Sequence, residues 1–261
     1  MSHALSASFR TLVLPKEHGS WSFAFEPVAL GLLVAPSRAG FVLAAAVAAG
    51  FFVRRPLKLA TTLPATDARR GPARQWALVW SALAFTGIIS VSLLASWTAL
   101  WPLLLCVPFA AIFLWFDLHN DMREAEAELS GSAVFALLPA TMATLAGWSA
   151  AISLGLAAVM LARSLPTILT VRTYLRRAKG QPVHLANAIA TASAATLAIT
   201  LLVRQHIVPT TAALLVAALL LRTIIFLLSL RPNLPAKRIG IFEAALGCVY
   251  LSGLTLAYHL R

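Results

Sequence analysis

The chain has 261 residues, of which 60% are hydrophobic and only 11% charged, and its mean hydropathy is +0.84. This composition excludes an ordinary soluble globular protein, in which about 25% of residues are charged, and it indicates a polytopic membrane protein. The formal net charge of +12 does not call for a nucleic-acid partner, because basic residues also collect in the cytoplasmic loops of membrane proteins.

Apolar segments of suitable length recur along the whole chain and predict about nine transmembrane helices, several of them near the ~20 residues needed to cross a bilayer. The predicted spans are residues 21–35, 39–53, 76–95, 98–116, 131–147, 149–171, 184–203, 209–229 and 239–258. We therefore predict an all-α transmembrane bundle that forms one integral membrane domain over residues 1–261, with residues 1–20 as an interfacial N-terminal segment.

The basic residues are distributed unevenly between the two sides of this predicted bundle. One side carries Arg10, Lys16, Arg54, Arg55, Lys58, Arg69, Arg70, Arg74, Arg123, Arg172, Arg176, Arg177, Lys179, Arg231, Lys237 and Arg238. The other side carries only Arg38, Arg204 and Arg261. The positive-inside rule then predicts a cytoplasmic N-terminus and a C-terminus on the periplasmic or extracellular side.

More than half of the nine acidic residues lie between Asp117 and Glu128, directly after an apolar run. On a continuous helix the spacing i, i+4, i+7 and i+11 would place four carboxylates on one face: Asp117, Asp121, Glu124 and Glu128. Like charges repel, so either a divalent cation or basic partners from elsewhere in the chain would have to offset the repulsion among these carboxylates. We predict a divalent-cation site on these four residues. The alternative is a solvated helix cap whose charges pair with the neighbouring basic loops.

Two basic segments are candidates for phosphate binding, because guanidinium groups bind phosphate oxygens bidentately. One follows the second span, and the other follows the sixth, where spacing i, i+4 and i+7 would align three cations on one helix face. The candidate residues are Arg54, Arg55, Arg172, Tyr174, Arg176 and Lys179. The alternative is that these charges only hold the cytoplasmic ends of helices in place.

A third cluster precedes the first span, in the order Lys16, Glu17, His18. The imidazole of His18 would titrate near neutral pH, so His18 and Glu17 are the acid–base candidates, and Lys16 joins the phosphate-binding set. The alternative is a membrane anchor, with Lys16 at the lipid headgroups and Trp21 in the interfacial aromatic belt.

Four ionisable residues fall inside predicted spans: Glu26, Arg163, Arg222 and Glu243. Charges within a bilayer are costly and usually face the interior of the bundle. They would either form buried Arg–Glu pairs that lock helices together or line a transport path, and the sequence does not say which arginine meets which glutamate.

The segment PKEHGSW at residues 15–21, followed by RRP at residues 54–56, is similar to the YwiC-like family of bacterial membrane proteins. This resemblance implies a multi-pass protein of the bacterial inner (plasma) membrane. It does not imply a particular reaction.

The series Asn120-Asp121-x-x-Glu124-x-x-x-Glu128 resembles the NDxxDxxxD motif of UbiA-type intramembrane prenyltransferases. In those enzymes two acidic motifs follow the second and sixth helices, whereas this chain has one, after the fourth span. The resemblance implies that Mg²⁺ bridges a diphosphate and that Asn120 orients the diphosphate. It therefore implies Mg²⁺-dependent transfer or processing of a (di)phosphorylated isoprenoid or other lipid. A transporter of a small solute or ion and a non-catalytic assembly or lipid-binding protein are the alternatives.

Overall fold

The computed structural model describes residues 11–14, 19–119, 121, 124–228 and 234–261. These residues form helices and contain no β-strand, which confirms the predicted all-α class. In chain order the α-helices are α1 Gly19–Val34, α2 Arg38–Thr62, α3 Arg70–Leu94, α4 Pro102–Leu118, α5 Ala125–Ala136, α6 Leu138–Leu145, α7 Ala150–Ala178, α8 Leu185–Arg204, α9 Thr210–Leu228 and α10 Ala236–His259.

Within the described residues, eight segments are long and apolar enough to cross a membrane, and the shorter α1 is apolar from Phe23 to Val34. These segments coincide with the predicted spans, so the prediction of a polytopic helical bundle is confirmed. The span from Ala125 to Leu145 consists of two helices, α5 and α6, separated by a turn at Leu137. Pro139 explains this break, because proline has no N–H to continue the helical hydrogen bonds.

The centre of the bundle is α7, the most deeply buried of the eight candidate spans. It packs against α1, α5, α6, α8 and α9. Small residues allow this close approach: a Cβ atom on Gly155 would lie only 2.8 Å from the side chain of Ile207. The hydroxyl of the fully buried Tyr250, on α10, donates to the carbonyl oxygen of Val159 at 2.7 Å and ties α10 to α7 as well.

The hairpin of α2 and α3 lies at the edge of the bundle. The two helices pack closely along their length, and the side chain of Ala46 fills the space beside Gly87. Only 11% of the apolar window of α3 is buried, so this helix is attached to the rest of the bundle through α2.

One end of the bundle, called here the charged end, holds the α2–α3, α4–α5 and α7–α8 connections and the start of α10. Contacts between these parts define it: Lys58 of α2 pairs with Asp117 of α4, Arg172 of α7 pairs with Glu124, and the Leu234 N–H donates to the Tyr174 hydroxyl. Its described basic residues are Arg54, Arg55, Lys58, Arg69, Arg70, Arg74, Arg172, Arg176, Arg177, Lys179, Lys237 and Arg238. The opposite end has Arg38, Arg204 and Arg261. The charge asymmetry thus matches the predicted one, while the cytoplasmic location of the charged end stays a prediction.

Replacement of Gly87 by alanine is expected to lower the thermal stability of the protein in detergent or nanodiscs. The new Cβ would lie 2.7 Å from the Cβ of Ala46 and would push α3 away from α2. Gly50→Ala is the matched control, because a Cβ there meets nothing within 4 Å and alanine favours the helix. Equal melting temperatures for the two variants would contradict this packing.

Candidate functional site

Four ionisable side chains meet inside the bundle and form the interior cluster: Glu26 of α1, Arg163 of α7, Arg222 of α9 and Glu243 of α10. Arg163 binds Glu26 bidentately, with Nε–Oε2 and Nη2–Oε1 distances of 2.7 and 3.1 Å. Its Nη2 also donates to the backbone carbonyl of Glu243 at 3.0 Å. Arg222 Nη2 donates to the Glu243 carboxylate at 3.0 Å and to Thr167 Oγ1 at 2.8 Å. The structure therefore assigns the pairs that the sequence left open.

The interior cluster is built into the packing of four helices. The side chains of Arg163 and Arg222 are only 4% and 7% exposed. Gly247 makes room for them, because a Cβ at this position would lie 2.2 Å from Glu26 Oε1 and 2.6 Å from Arg163 Nη2. The faces of the two guanidiniums lie over the rings of Tyr250 and Phe226.

Several polar atoms of this cluster have no hydrogen-bond partner among the described residues: Arg163 Nη1, Arg222 Nε, Arg222 Nη1 and Glu243 Oε1. A cavity of about 10 Å³ adjoins Arg163 and Glu26 and is also lined by Ser164 and Thr167. This volume accommodates about one water molecule, whereas solute sites are typically about 300–1,000 Å³. The interior cluster therefore has the geometry of a helix lock and not of a solute site.

A second group of ion pairs lies at the charged end and forms the charged-end cluster: Arg54 and Lys58 of α2, Asp117 of α4, Glu124 and Glu128 at the start of α5, and Arg172 of α7. Asp117 lies 3.6 Å from Arg54 and 3.4 Å from Lys58. The Arg54 guanidinium also lies over the ring of Phe113, with its Cζ 5.1 Å from the ring centroid.

Arg172 is shared by two carboxylates of α5. Its guanidinium nitrogens lie 3.7 Å from Glu124 and 3.6 Å from Glu128. Gly131, one turn further along α5, contacts the ring of Phe113 and brings α4 against α5. A continuous series of contacts thus runs from α2 through α4 and α5 to α7, which brings together both basic segments and the acidic stretch.

The predicted single helical face of four carboxylates is wrong. Helix α4 ends at Leu118 and α5 begins at Ala125, so Asp117 lies on a different helix from Glu128. The chain must reverse here, because α4 and α5 are packed neighbours. Asp121 lies in the connection, where its N–H donates to the Phe116 carbonyl oxygen and its side chain is exposed. Basic partners, the second of the two possibilities, relieve the repulsion among the carboxylates.

Arg54 and Arg55 turn to different neighbours, because successive residues of a helix point about 100° apart. Arg54 faces Asp117, whereas Arg55 Nη1 donates to the backbone carbonyl of Leu14. Leu14 directly precedes residues 15–18, so Arg55 holds the chain just before the predicted acid–base residues. Those residues, Lys16, Glu17 and His18, and likewise Asn120, lie outside the described part of the chain.

The basic segment after the sixth predicted span does continue as a helix, to Ala178. Gly180, with φ of +70°, then ends it, and the Gln181 N–H caps the Arg176 carbonyl oxygen. Arg176 and Lys179 are exposed at the charged end. Tyr174 is 4% exposed and packs against Phe226, so it faces away from Arg172 and supports the α9–α10 side of the bundle.

Among the described residues, no three His, Cys, Asp or Glu side chains are close enough together to hold a metal ion. Glu124 and Glu128 both lie near Arg172, whose guanidinium supplies positive charge to both carboxylates. The Mg²⁺ site on Asp117, Asp121, Glu124 and Glu128 therefore stays a prediction, one that requires these side chains to change partners.

The two clusters differ in how tightly their charges are held. Pairs in the interior cluster have distances of 2.7–3.1 Å and are shielded from solvent. Pairs in the charged-end cluster are 3.4–3.7 Å long, beyond the usual 2.7–2.9 Å of a charge-assisted hydrogen bond. Glu124 and Glu128 are 59% and 43% exposed. Because water and dissolved ligands can reach these partly exposed side chains, the charged-end cluster is the candidate functional site.

Sequence reasoning missed the residues that make room for these clusters, above all Gly247 and Gly131. Gly247 follows Glu243 by one helical turn, and a small residue at i+4 from a buried charge was the available signal. Gly131 lies three residues after Glu128, which is exposed, so the same signal did not mark it. Phe113, which lies under Arg54, carried no such signal, because it is one of many aromatic residues in an apolar helix.

Removal of Arg163 alone is expected to destabilise the protein strongly, by about 3–5 kcal/mol, because Glu26 would be left buried without a partner. The double variant Glu26→Leu/Arg163→Met should recover part of this loss. Unfolding in mixed micelles measures both. Arg69→Gln is the control, since it breaks the exposed Arg69–Asp67 pair, and no measurable change is expected. A single variant as stable as the control would contradict the role of helix lock.

Comparison with known proteins identifies the family of the chain. No curated protein and no solved structure matches the chain. A family model described as YwiC-like protein matches residues 14–144, about half of the chain. The matched range includes both segments of the earlier resemblance, PKEHGSW at residues 15–21 and RRP at residues 54–56, as well as the acidic stretch. The match ends before α7, so Arg163 and Arg172 lie beyond it. The chain belongs to the YwiC-like family.

Proposed function

We propose that this integral membrane protein binds a (di)phosphorylated lipid, such as an isoprenoid diphosphate, at the charged-end cluster and catalyses its Mg²⁺-dependent transfer or processing. The observation that carries the proposal is the set of long, partly exposed ion pairs that joins two basic helices to the acidic α4–α5 connection. The side chains of Arg54 and Lys58 are 32% and 40% exposed, so phosphate oxygens could reach them.

The phosphate groups would be held by cations from two helices. Arg54 and Arg172 each offer a planar guanidinium that can bind a phosphate bidentately, and Lys58 adds a third positive charge. Arg176 and Lys179, exposed one and two turns beyond Arg172, extend the positive surface. A diphosphate carries more negative charge than a carboxylate and would therefore displace Asp117, Glu124 and Glu128 from these partners.

The displaced carboxylates would then be free to hold Mg²⁺, a hard cation that prefers oxygen ligands and is commonly bound by one or two carboxylates together with substrate phosphates. Glu124 and Glu128 are the residues that would hold it, with Asp121 beside them on the connection. When bound, Mg²⁺ would neutralise charge that develops on the diphosphate. A single exchange of partners at Arg172 would thus create both the phosphate site and the metal site.

The surroundings of the cluster suit a lipid chain. Leu114, Trp115 and Leu118, in the last turn of α4 beside Asp117, are between 56% and 80% exposed. An apolar tail could lie along this surface within the bilayer while its phosphate reaches Arg54. Lys16, Glu17 and His18 would act from the segment that Arg55 anchors at Leu14, with His18 or Glu17 as acid or base.

Arg172→Gln is expected to weaken binding of a C15 isoprenyl diphosphate about tenfold or more, because a hydrogen bond to a charged group contributes about 1.5–3 kcal/mol. The measurement is titration of protein in nanodiscs with Mg²⁺ present. Arg204→Gln is the matched control, since Arg204 is exposed at the opposite end. Equal affinities for the two variants would contradict the proposed site.

Chelation of Mg²⁺ by EDTA is expected to abolish release of diphosphate from the same compound when a membrane lipid extract supplies the acceptor. Glu124→Gln/Glu128→Gln should lower the activity and shift its Mg²⁺ dependence to higher concentrations. Full activity in chelator would rule out the metal-dependent mechanism. Tight, Arg172-dependent binding without diphosphate release would identify a lipid-binding protein in place of an enzyme.

A further inference from the structure

A groove of about 540 Å³ lies between α2 and α3 near the charged end. Its walls come from the last turns of α2 and the first turns of α3, and Ala65 of the connection lies between them. It is separate from the packing of residues 11–14, which contact Ala73 and Trp76 on another face of α3. Neither the family match nor the proposed function assigns a role to it.

The charge of the groove is positive and unbalanced. Arg70 and Arg74 line it one helical turn apart, and none of the lining residues is acidic. Among the described residues, Arg70 donates one side-chain hydrogen bond, from Nε to the Ala60 carbonyl oxygen at 3.1 Å, and its two Nη groups have no partner there. The Arg74 side chain is exposed. Two guanidiniums without a carboxylate in their site are complementary to a phosphate group.

The rest of the groove is apolar or uncharged. Leu57 and Leu78 are 50% and 63% exposed along its walls, and Ala77 is buried at its base. Thr61 lies beside Ala60 at the arginine end of the groove, and Ser81 lies three residues beyond Leu78 towards the other end. Two arginines in the first turns of α3, followed along the groove by apolar side chains, match the order of phosphate and acyl chain in a phospholipid.

We propose that the groove between α2 and α3 binds an anionic phospholipid, with its phosphate on Arg70 and Arg74 and an acyl chain along Leu78. The bound lipid would fill the open side of the α2–α3 hairpin, beside α3, which has the lowest buried share of the eight candidate spans. It is a resident lipid and not the reacting one, because the charged-end cluster supplies its own cations.

The neighbouring Arg69 provides a matched control. Its Nε and Nη2 donate to the two carboxylate oxygens of Asp67 at 3.0 and 2.7 Å. These bonds lower the pKa of Asp67 to about 2, so the pair stays ionised at any physiological pH. Arg69 therefore adds little net positive charge, although it adjoins Arg70 in the chain.

Gly71 offers a variant that leaves the charges unchanged. It lines the groove, and a Cβ at this position meets nothing within 4 Å. A tryptophan there would occupy the groove without disturbing the packing of α2 on α3. Gly50→Trp, also at an open position, serves as its control.

The experiment is native mass spectrometry of the protein after exchange into micelles that contain equal amounts of phosphatidylglycerol and phosphatidylcholine. We expect retained phosphatidylglycerol to fall about tenfold in Arg70→Gln/Arg74→Gln, which corresponds to the loss of about 1.4 kcal/mol of binding free energy, and also in Gly71→Trp. Arg69→Gln and Gly50→Trp should retain it as the unchanged protein does. Excess inorganic phosphate should not displace it, since the site also binds the acyl chain.

Three results would overturn the proposal: equal retention in Arg70→Gln/Arg74→Gln and Arg69→Gln, equal retention of the two lipids by the unchanged protein, or displacement by inorganic phosphate. Titration with the C15 isoprenyl diphosphate separates this site from the proposed function. Arg70→Gln/Arg74→Gln should bind that compound normally, whereas Arg172→Gln should retain phosphatidylglycerol normally. Thermal unfolding of each variant checks that it is folded.

Discussion

The arrangement of the bundle depends on the bidentate pair between Arg163 and Glu26 and its extension to Glu243 and Arg222. In a low-dielectric interior an unpaired charge costs several kcal/mol, so the four helices that carry these residues must keep their mutual register. Arg172 lies nine positions beyond Arg163 on α7, about 13 Å along the axis at 1.5 Å per residue. The interior cluster therefore also sets where Arg172 meets α5.

Ion pairs become looser from the interior of the bundle towards the charged end. The buried pairs are short and each guanidinium rests on an aromatic ring, whereas Arg172 shares its charge between two exposed carboxylates at 3.6–3.7 Å. The first arrangement resists exchange, because the site is buried and separated charges would not be solvated by water. In the second arrangement water screens both partners and weakens their attraction. The same residue types thus form a buried helix lock in one place and a solvent-exposed cluster in another.

In a chain with 21 basic and nine acidic residues, the carboxylates decide which cations are neutralised. Asp117 forms ion pairs with Arg54 and Lys58, and Asp67 forms one with Arg69. Arg70 and Arg74 have no such partner in the groove that they line. A count of basic residues in loops predicts the orientation of a membrane protein, but only the contacts separate the cations that are paired with carboxylates from those that are not.

The sequence by itself determined the all-α class, the positions of the spans and the uneven distribution of charge, because hydropathy and length act locally along the chain. It also marked Glu26, Arg163, Arg222 and Glu243 as interior charges. Only the tertiary structure decided which of them pair, since partners such as Glu26 and Arg163 lie far apart in the chain. It likewise replaced the predicted acidic helix face by a reversal between α4 and α5, because the packing of neighbouring helices outweighs the helical spacing of the carboxylates.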